Sequence, residues 1–548
     1  MGSRGLGFLV LIVAATACST LVGVDDVVPL ERDAGVGGDA GAGAGGDASA
    51  GAAGDASAGA AGDASAGAAG DASAGAAGDA SAGAAGDAGA GAAGDAGAGA
   101  AGDGGCAPLG LDPDAVYVDA AVASGGTGVA ACPLRTITAG LAALAASGAS
   151  SRALYVAPGT YDVALGEVFP LRASFGVSII GAGAGVTKIV GGADVSVDPL
   201  GGSLQGTYSL TVLSTTTEPV RLTGVTLQPG ASTSAAVGVL CAAGNAPQVD
   251  PPPSPFPEPN LVIDGAVLGP GYPHALLVTN SASSGCNARI TGSTLRGPGI
   301  GVLAFGCGYG IEQGPTVAVQ VGDGSAAGAN TIMDGDYAGV ALWGCVEHAR
   351  VLRNEVFGGK VGIHVDEFRT YVSADLLPIV SGNHVHDCTQ RGLLLDNPLV
   401  RATVDDNVIE RVSGPAGSTA RGLAIAAGRA AIRGRRNRVV GNDVGLWIKG
   451  GTVDFGTPTD PGDNVFSCNS AAQLASTPGY DVGALGSYAP GAVVSLAGNA
   501  WDVAPPSPLA LASSGDGHEL VVESSGVPAL DLSGASIATA ACPAGHTP

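Results

Sequence analysis

Apolar and polar residues alternate in short runs over much of the chain, and these runs return at similar distances. Between about Gly265 and Asn469, an Asn followed two residues later by Val or Ile precedes a Gly that opens an alternating apolar run. Alternation with a period of two predicts strands with one buried face. The Asn members are Asn330, Asn354, Asn383, Asn407 and Asn437, with a shifted sixth at Asn464, and the Gly members are Gly301, Gly339, Gly362, Gly392, Gly422 and Gly445.

The repeats return every 23 to 38 residues, which suits one coil of a solenoid. A unit this short cannot close its own core, so successive coils have to stack and share one. Stacking would place equivalent strands ~4.8 Å apart in parallel ladders, with Asn side chains bonded to the Asn above and below. The buried column is expected to contain Ile363, Leu393, Leu423 and Leu446. The pattern predicts an all-β chain that forms a single-stranded parallel β-helix.

The segment before this repeat carries a second set of motifs. They are Tyr117-Val118-Asp119, Pro133-Leu134-Arg135-Thr136-Ile137, LYVAPGTY at 154–161, GEVFPL at 166–171 and GVSIIG at 176–181. Over roughly residues 115–190 the chain resembles the N-terminal domain of unknown function that opens many bacterial secreted β-helix proteins of the pectate-lyase-like superfamily. Together with the usual hand of parallel crossovers, the resemblance implies a right-handed solenoid. Thr138 is expected to cap a short helix that plugs the first coil.

The first hundred residues have the composition of an export signal and a tether. Arg4 and the apolar run from Leu6 to Ala17 are typical of a signal peptide. Ala15-Thr16-Ala17-Cys18 resembles the lipobox of bacterial lipoproteins, which implies lipidation of Cys18 and, with Ser19 next, an outer-membrane destination; an ordinary signal peptide is the alternative. From residue 33 to 105, a Gly/Ala/Ser/Asp repeat predicts a disordered linker extending roughly 45 to 50 Å.

Charge narrows the range of partners. The formal net charge is −25; the aspartates of the linker contribute −10 and the first 32 residues −1, which leaves −14 for the rest. That part contains only three lysines and one group of arginines, at 433, 435, 436 and 438, which we interpret as an exposed turn. Because nucleic-acid binders need clustered positive charge, the composition argues against a nucleic-acid partner.

Aligning the coils on the repeated Gly brings Asp366 over Asp396. Two carboxylates ~5 Å apart would share a proton or hold Ca²⁺, and they would suit the catalytic pair of a lyase or retaining hydrolase. Solvated aspartates at strand ends are the alternative. The catalytic signatures of polygalacturonase-like enzymes and pectate lyases do not occur, so no catalytic residue is carried over from them. The candidate substrate-binding residues nearby are Trp343, Trp447, Arg369, Arg391 and His364.

A histidine pair and a cysteine pair are two further candidate functional groups. His384 and His386 would share a strand face beside Asp387, as metal ligands or a base with its orienting carboxylate would require, and a solvated turn is the alternative. Cys307 and Cys345 occupy the same position in successive coils, which predicts a disulfide or, alternatively, two small apolar residues side by side. Nine cysteines follow Cys18, so at least one stays unpaired.

These observations predict an exported, monomeric outer-membrane or cell-surface lipoprotein that displays a β-helix to a polysaccharide. It is held to the membrane through its lipid anchor; no cofactor is required, and Ca²⁺ is the metal considered. The alternatives are a polysaccharide lyase or glycoside hydrolase, and a structural or adhesive surface protein. The predicted parts are a signal peptide (1–17), a lipid-anchor region (18–32), the linker (33–105), the N-terminal cap and first coils (106–190), the parallel β-helix (191–467), and the last coils with a C-terminal cap (468–548).

Overall fold

The computed structural model describes much of the chain from Ala115 onward, so the predicted signal peptide, Cys18 and the linker lie outside the described residues. The described residues are 115–123, 126–147, 152–174, 176–197, 204–213, 218–231, 236–243, 258–279, 286–306, 317–344, 346, 348–366, 377–395, 397, 400–415, 421–469, 480–485, 488, 492–502, 508–510, 520–522, 528–539 and 542.

Three long sheets contain nearly all of the secondary structure. The first sheet contains Ala115–Val118, Arg152–Val156, Val177–Gly181, Val220–Thr223, Leu261–Asp264, Asn287–Thr291, Ala318–Val321, Arg350–Leu352, Ile379–Ser381, Arg401–Asp405, Ala431–Arg435, Thr452–Asp454, Val493–Ser495 and Ala529–Asp531. The second contains Gly159–Asp162, Thr187–Val190, Thr226–Gln228, Val267–Leu268, Thr294–Arg296, Thr331–Met333, Glu355–Phe357, His384–His386, Val408–Glu410, Arg438–Val440, Val465–Ser467, Ala500–Trp501 and Ser536–Ile537. The third contains Leu171–Ala173, Ala193–Val197, Leu204–Leu213, Ala236–Ala243, His274–Thr279, Ile300–Phe305, Ala338–Trp343, Val361–Asp366, Arg391–Leu395, Leu423–Ala427, Val444–Lys449, Tyr480–Leu485, Pro508–Ala510 and Leu520–Val522.

Each coil supplies one strand to each sheet. Arg350–Leu352, Glu355–Phe357 and Val361–Asp366, for example, follow one another around a single coil, and each pairs in parallel with its equivalent in the next coil. Among the described strands, only Ala193–Val197 pairs antiparallel, with Leu204–Leu213. The predicted all-β parallel β-helix is therefore confirmed.

The core is one continuous apolar column inside the coils. Ile363, Leu393 and Leu446 lie in this column as predicted, but Ile425 takes the place assigned to Leu423. The prediction for Leu423 was wrong because it started from Gly422, whereas the register aligns the backbone of Ala424 with Gly362 and Gly392. At Gly362 a Cβ would lie 2.4 Å from Val385 and 2.6 Å from the Gly392 carbonyl oxygen, so the close approach of adjacent coils explains the repeated Gly.

A buried asparagine ladder runs along the turn before the second sheet. In each step the side-chain Nδ2 donates to Oδ1 of the next Asn at 2.8 to 3.0 Å, and the backbone N–H of the same residue donates to the same oxygen. The members are Asn330, Asn354, Asn383, Asn407, Asn437, Asn464 and Asn499. The predicted Asn stacking is confirmed. Asn464 is a regular member rather than a shifted one.

The helix Ile137–Ser147 packs its apolar residues against the first coil. Its capping differs from the prediction, because Thr136 rather than Thr138 accepts a hydrogen bond from a first-turn amide, that of Ala139 at 3.2 Å. The buried carboxylate of Glu167 accepts the backbone N–H groups of Ile137 and Thr138 at 2.5 and 2.9 Å. The part of the chain that the structure describes contains no apolar helix of the length that a bilayer requires.

Two disulfides join described cysteines, Cys241–Cys286 and Cys468–Cys542. Cys388 is a buried free thiol, and burial raises its pKa to about 12. Cys307 and Cys345 lie outside the described residues, so their disulfide stays a prediction.

Candidate functional site

The outer face of the third sheet holds Asp366, one member of the predicted catalytic pair. Asp366 ends its strand beside Trp343 of the preceding coil and is only 8% exposed. It is therefore not a solvated strand end. Asp396 and Arg369 lie outside the described residues, so the meeting of two carboxylates stays a prediction, as does Ca²⁺ between them.

His364 is fully buried on this face between two aromatic residues. The Trp343 indole Nε1 donates to Nδ1 of His364 at 3.2 Å, and the Tyr337 hydroxyl lies 3.4 Å from the same nitrogen. Burial, with a smaller contribution from Arg391, lowers the pKa of His364 to about 3. The ring is therefore neutral at pH 7, and because Nδ1 accepts the indole hydrogen bond, Nε2 carries the proton.

The remaining predicted residues of this face are spread along it. Arg391 is 7% exposed and stands next to Val361 in the ladder. Trp447 lies in the same outward column as His364 but three strands further on, ~14 Å away, with the Lys449 ammonium 5.9 Å from its ring centroid. The structure therefore brings Trp343, His364 and Asp366 together and leaves Trp447 apart.

Most other outward side chains of the third sheet are apolar and buried. They are Tyr208, Val237, Leu240, Ala242, Leu277, Ile300, Leu303, Ala338, Ala341, Val361, Leu394, Leu423, Ala426 and Val444. A face of this kind offers few hydrogen-bonding groups to a polar ligand.

The second sheet brings the predicted histidine pair together. The His384 and His386 ring centroids are 4.3 Å apart, and the His386 ring stacks on Phe357 at 4.9 Å. Nε2 of His386 lies 3.4 Å from Oε1 of Glu355, which occupies the preceding coil. Glu355, His384 and His386 each present one ligand atom, and these atoms lie within 4.8 Å of one another, so the three side chains could hold a metal ion.

Charged residues surround the histidines. Nδ1 of His386 lies 2.6 Å from the Asp387 carboxylate, and Nε2 of His384 lies 3.2 Å from that of Glu410. Arg411 bonds to both carboxylates. Hydrogen bonds from Arg411 hold the pKa of Asp387 below its usual range. Burial opposes the same effect at Glu410, but bonds from Arg411 and His384 still lower its pKa.

An open groove lies on the outer face of the first sheet. It encloses about 490 Å³ and is lined by Arg221, Thr223, Val262, Asp264, Arg289, Thr291, Gln320 and Asp323. Arg221, Val262 and Arg289 form one outward column in consecutive coils, continued by Gln320 and Arg350. Within the described part of the chain, Nε of Arg289 is buried without a hydrogen-bond partner.

The neighbouring outward column of the same sheet joins this groove to an aromatic pair. From Thr291 it passes through Asp264, Thr223 and Ile180 to Tyr155 and Tyr117. The two tyrosine rings are stacked with centroids 5.0 Å apart, and Tyr155 is 39% exposed. Five ladder steps make this column ~24 Å long.

The repeat does not mark this face in the sequence, because the first-sheet strands contain neither its Asn nor its Gly. The spacing between these strands and the ladder Asn nevertheless marks their position in the sequence. In several coils the first-sheet strand ends two residues before the ladder Asn, as Leu352 does before Asn354 and Ser381 before Asn383. Counting back from each Asn therefore aligns the outward residues of this sheet.

The arginine group interpreted as an exposed turn lies partly on the strand Ala431–Arg435. Arg435 is 1% exposed and donates to Asp454 at 2.9 Å and Asp460 at 2.7 Å, while Arg436 bonds to Asp406 at 2.7 Å. Arg435 and Arg436 therefore form ion pairs with carboxylates of neighbouring coils.

Several solved structures are similar to this chain, at low sequence identity. The mannuronan C-5 epimerase AlgE4 A-module of Azotobacter vinelandii is 16% identical, with 77% of this chain and 98% of that chain covered and a TM-score of 0.38. The AlgE6 A-module of the same organism is 15% identical, with 74% and 95% covered and a TM-score of 0.36. Pectate lyase Pel9A is 10% identical, with 78% and 79% covered and a TM-score of 0.29. These TM-scores are too low to carry an argument about this chain.

Two family profiles match the sequence directly. Residues 123–249 match "Protein of unknown function (DUF1565)", and residues 274–456 match "Right handed beta helix region". No curated protein is significantly similar in sequence. The β-helix profile and the three stacked parallel sheets identify a right-handed parallel β-helix, as predicted, and residues 123–249 match a domain of unknown function, which was also predicted.

Proposed function

We propose that this protein binds a linear polysaccharide along the outer face of its first sheet. The observation that carries the proposal is the continuity of an exposed, stacked tyrosine pair with an open polar groove along ~24 Å of one face. Outward side chains repeat there every ~4.8 Å along the helix axis, a distance close to the advance of one sugar residue in an extended chain.

The groove has the chemistry that a polyhydroxylated ligand needs. A hydroxyl group both donates and accepts hydrogen bonds. Arg221 and Arg289 supply donors, Asp264 and Asp323 supply acceptors, and Thr223, Thr291 and Gln320 supply both. The two arginines and two aspartates balance in charge, which favours a neutral over a strongly charged polymer.

The tyrosine pair provides an apolar contact surface for a sugar ring. Sugar rings present C–H groups on one face, and these pack on aromatic rings whose polar tips remain in water. Because Tyr117 and Tyr155 lie on strands rather than on loops, little side-chain and backbone freedom is lost on binding.

This face is better suited to binding a polysaccharide than to cleaving it. Hydrogen bonds from Ser325 hold the pKa of Asp323 below its usual range, so this carboxylate is an acceptor and not a proton donor at neutral pH. On the third sheet, His364 is neutral and fully buried, which suits packing.

The proposal includes display at the cell surface. Cys18 would carry the lipid, and the linker of residues 33–105 would hold the β-helix away from the membrane. A binding face ~24 Å long that is held away from the bilayer suits capture of a polymer outside the cell.

A glycan array with the mature chain, followed by affinity electrophoresis in the best ligand, tests the proposal. We expect Tyr155→Ala and the double variant Arg221→Ala/Arg289→Ala to weaken binding at least tenfold. Arg438→Ala, an exposed arginine on the second sheet, is the matched control and should leave binding unchanged. Loss of binding in the control, or none in the first-sheet variants, would reject this face. Shortening of the bound glycan would instead favour a lyase or hydrolase.

A further inference from the structure

We infer that Glu355, His384 and His386 form a binding site for a divalent transition-metal ion such as Zn²⁺ on the outer face of the second sheet. The site lies on a different sheet from the proposed glycan face, so the two proposals stand independently.

The ligand set is suited to such an ion. Two imidazoles and one carboxylate are the protein ligands of many open zinc sites, which leave further positions to water. Harder ions such as Ca²⁺ and Mg²⁺ prefer oxygen ligands alone. The side chains come from adjacent coils at positions that the ladder fixes, since Glu355 stands beside His384 and Phe357 beside His386.

The distances between the ligand atoms are close to those of a metal-bound site. Ligand atoms of a tetrahedral zinc site lie ~3.3 Å apart. The Glu355 Oε1 and His386 Nε2 atoms are 3.4 Å apart, and all three ligand atoms lie within 4.8 Å of one another. The side chains of Glu355 and His384 are 49% and 42% exposed, so small rotations of these two can close the site.

His386 is already oriented for binding through Nε2. Its ring is held flat on Phe357, and its Nδ1 faces the Asp387 carboxylate at 2.6 Å. A carboxylate on the far ring nitrogen is the usual outer partner of a metal-binding histidine, because it fixes the tautomer and makes the imidazole a better ligand.

The local charge also favours a dication. With neutral imidazoles, Glu355, Asp387 and Glu410 carry three negative charges and Arg411 carries one positive charge, a net of −2. Arg411 is bonded to Asp387 and Glu410, so its positive charge offsets one of the two outer negative charges and leaves Glu355 available to the metal.

Isothermal titration of chelator-treated, untagged mature chain with Zn²⁺ tests the inference. We expect one ion per chain, with at least a tenfold loss of affinity in Glu355→Gln and in His386→Gln. Asp387→Asn should bind 10- to 100-fold more weakly, because it removes only the outer carboxylate. Glu218→Gln, an exposed glutamate elsewhere, is the control.

Co²⁺ absorbance provides a second readout that does not depend on stability. In the wild type, bound Co²⁺ should give the visible bands of a low-symmetry nitrogen and oxygen site, and these bands should be absent in His386→Gln even when its circular dichroism matches the wild type. Absence of stoichiometric Zn²⁺ binding in the wild type, or equal binding in Glu355→Gln and His386→Gln, would overturn the inference.

Discussion

Asn383 shows what a single buried side chain contributes to the stack. Its Nδ2 donates to the Val351 carbonyl at 2.8 Å and to Asn407 at 3.0 Å, while its Oδ1 accepts the backbone N–H of Asn354 at 2.9 Å. The residue is 1% exposed, so water cannot replace these bonds. One side chain therefore joins three successive coils.

Asn383→Ala should lower the free energy of unfolding by about 2 to 4 kcal/mol, because it leaves several buried polar groups without partners. Urea unfolding followed by circular dichroism measures the change. Thr403→Ala, which alters an outward residue of the first sheet, should shift the curve by less than about 0.5 kcal/mol. Equal shifts in the two variants would mean that the ladder does not stabilise the fold.

His364 predicts a pH dependence of stability. The unfolded chain protonates this residue near its ordinary pKa of about 6.5, whereas the folded chain does so only near 3. Over that window the unfolded state binds more protons, so stability falls as the pH drops below 6.5, by up to ~1.4 kcal/mol per unit from this group. The difference in Tm between pH 7.5 and pH 5 should be smaller in His364→Gln than in the wild type. An unchanged difference would contradict the assigned burial.

Residues of the repeat were predictable from the sequence only where a single residue type marks the position. Asn383 and its equivalents were identified because Asn recurs at each turn. Leu423 was misplaced by two positions, because Ala424 stands where other coils have Gly and the neighbouring Gly422 was taken as the marker. Register depends on contacts between coils, and the sequence shows it only indirectly.

Among the elements, the helix Ile137–Ser147 depends on a residue distant in sequence. Glu167 is 4% exposed and accepts the first two amides of the helix, those of Ile137 and Thr138, as well as the Thr138 hydroxyl at 2.6 Å. A carboxylate at a helix N-terminus also interacts favourably with the helix dipole. Sequence predicted the helix from its Ala and Leu residues, but the cap lies thirty residues away and could not be inferred from local motifs.

Glu167→Ala should destabilise the N-terminal end by about 1 to 2 kcal/mol, because the amides of Ile137 and Thr138 lose their acceptor. Hydrogen exchange measured by mass spectrometry should show faster exchange confined to the helix and the first coils. Glu218→Ala, which removes an exposed carboxylate, serves as the comparison and should leave exchange unchanged. Uniformly faster exchange along the whole chain would contradict a local capping role.

Of the three sheets, only the third had its outward residues predicted in detail from the sequence, and most side chains on its outer face are apolar and buried. The second sheet confirmed the expected closeness of His384 and His386. The groove of the first sheet needed the structure, since Arg221 and Arg289 are 68 residues apart in sequence and share one outward column, with Val262 between them, only through the coil register.

In the whole molecule, the proposed function requires the glycan-binding face and a membrane anchor on the same chain. Cys18→Ser should abolish incorporation of labelled palmitate and release the protein from the membrane fraction, because the acylated thiol is absent. Metabolic labelling followed by fractionation measures both effects. A wild-type protein that carries no label would instead favour an ordinary signal peptide.

The dependence of affinity on glycan length shows whether a polysaccharide binds along the whole face of the first sheet. Calorimetry with a series of oligosaccharides of the bound glycan should show affinity rising with each sugar up to about five residues, since the face is ~24 Å long, and then levelling off. If a mono- or disaccharide bound as tightly as the longer chains, binding would be confined to a single pocket, and a continuous face along the first sheet would be contradicted.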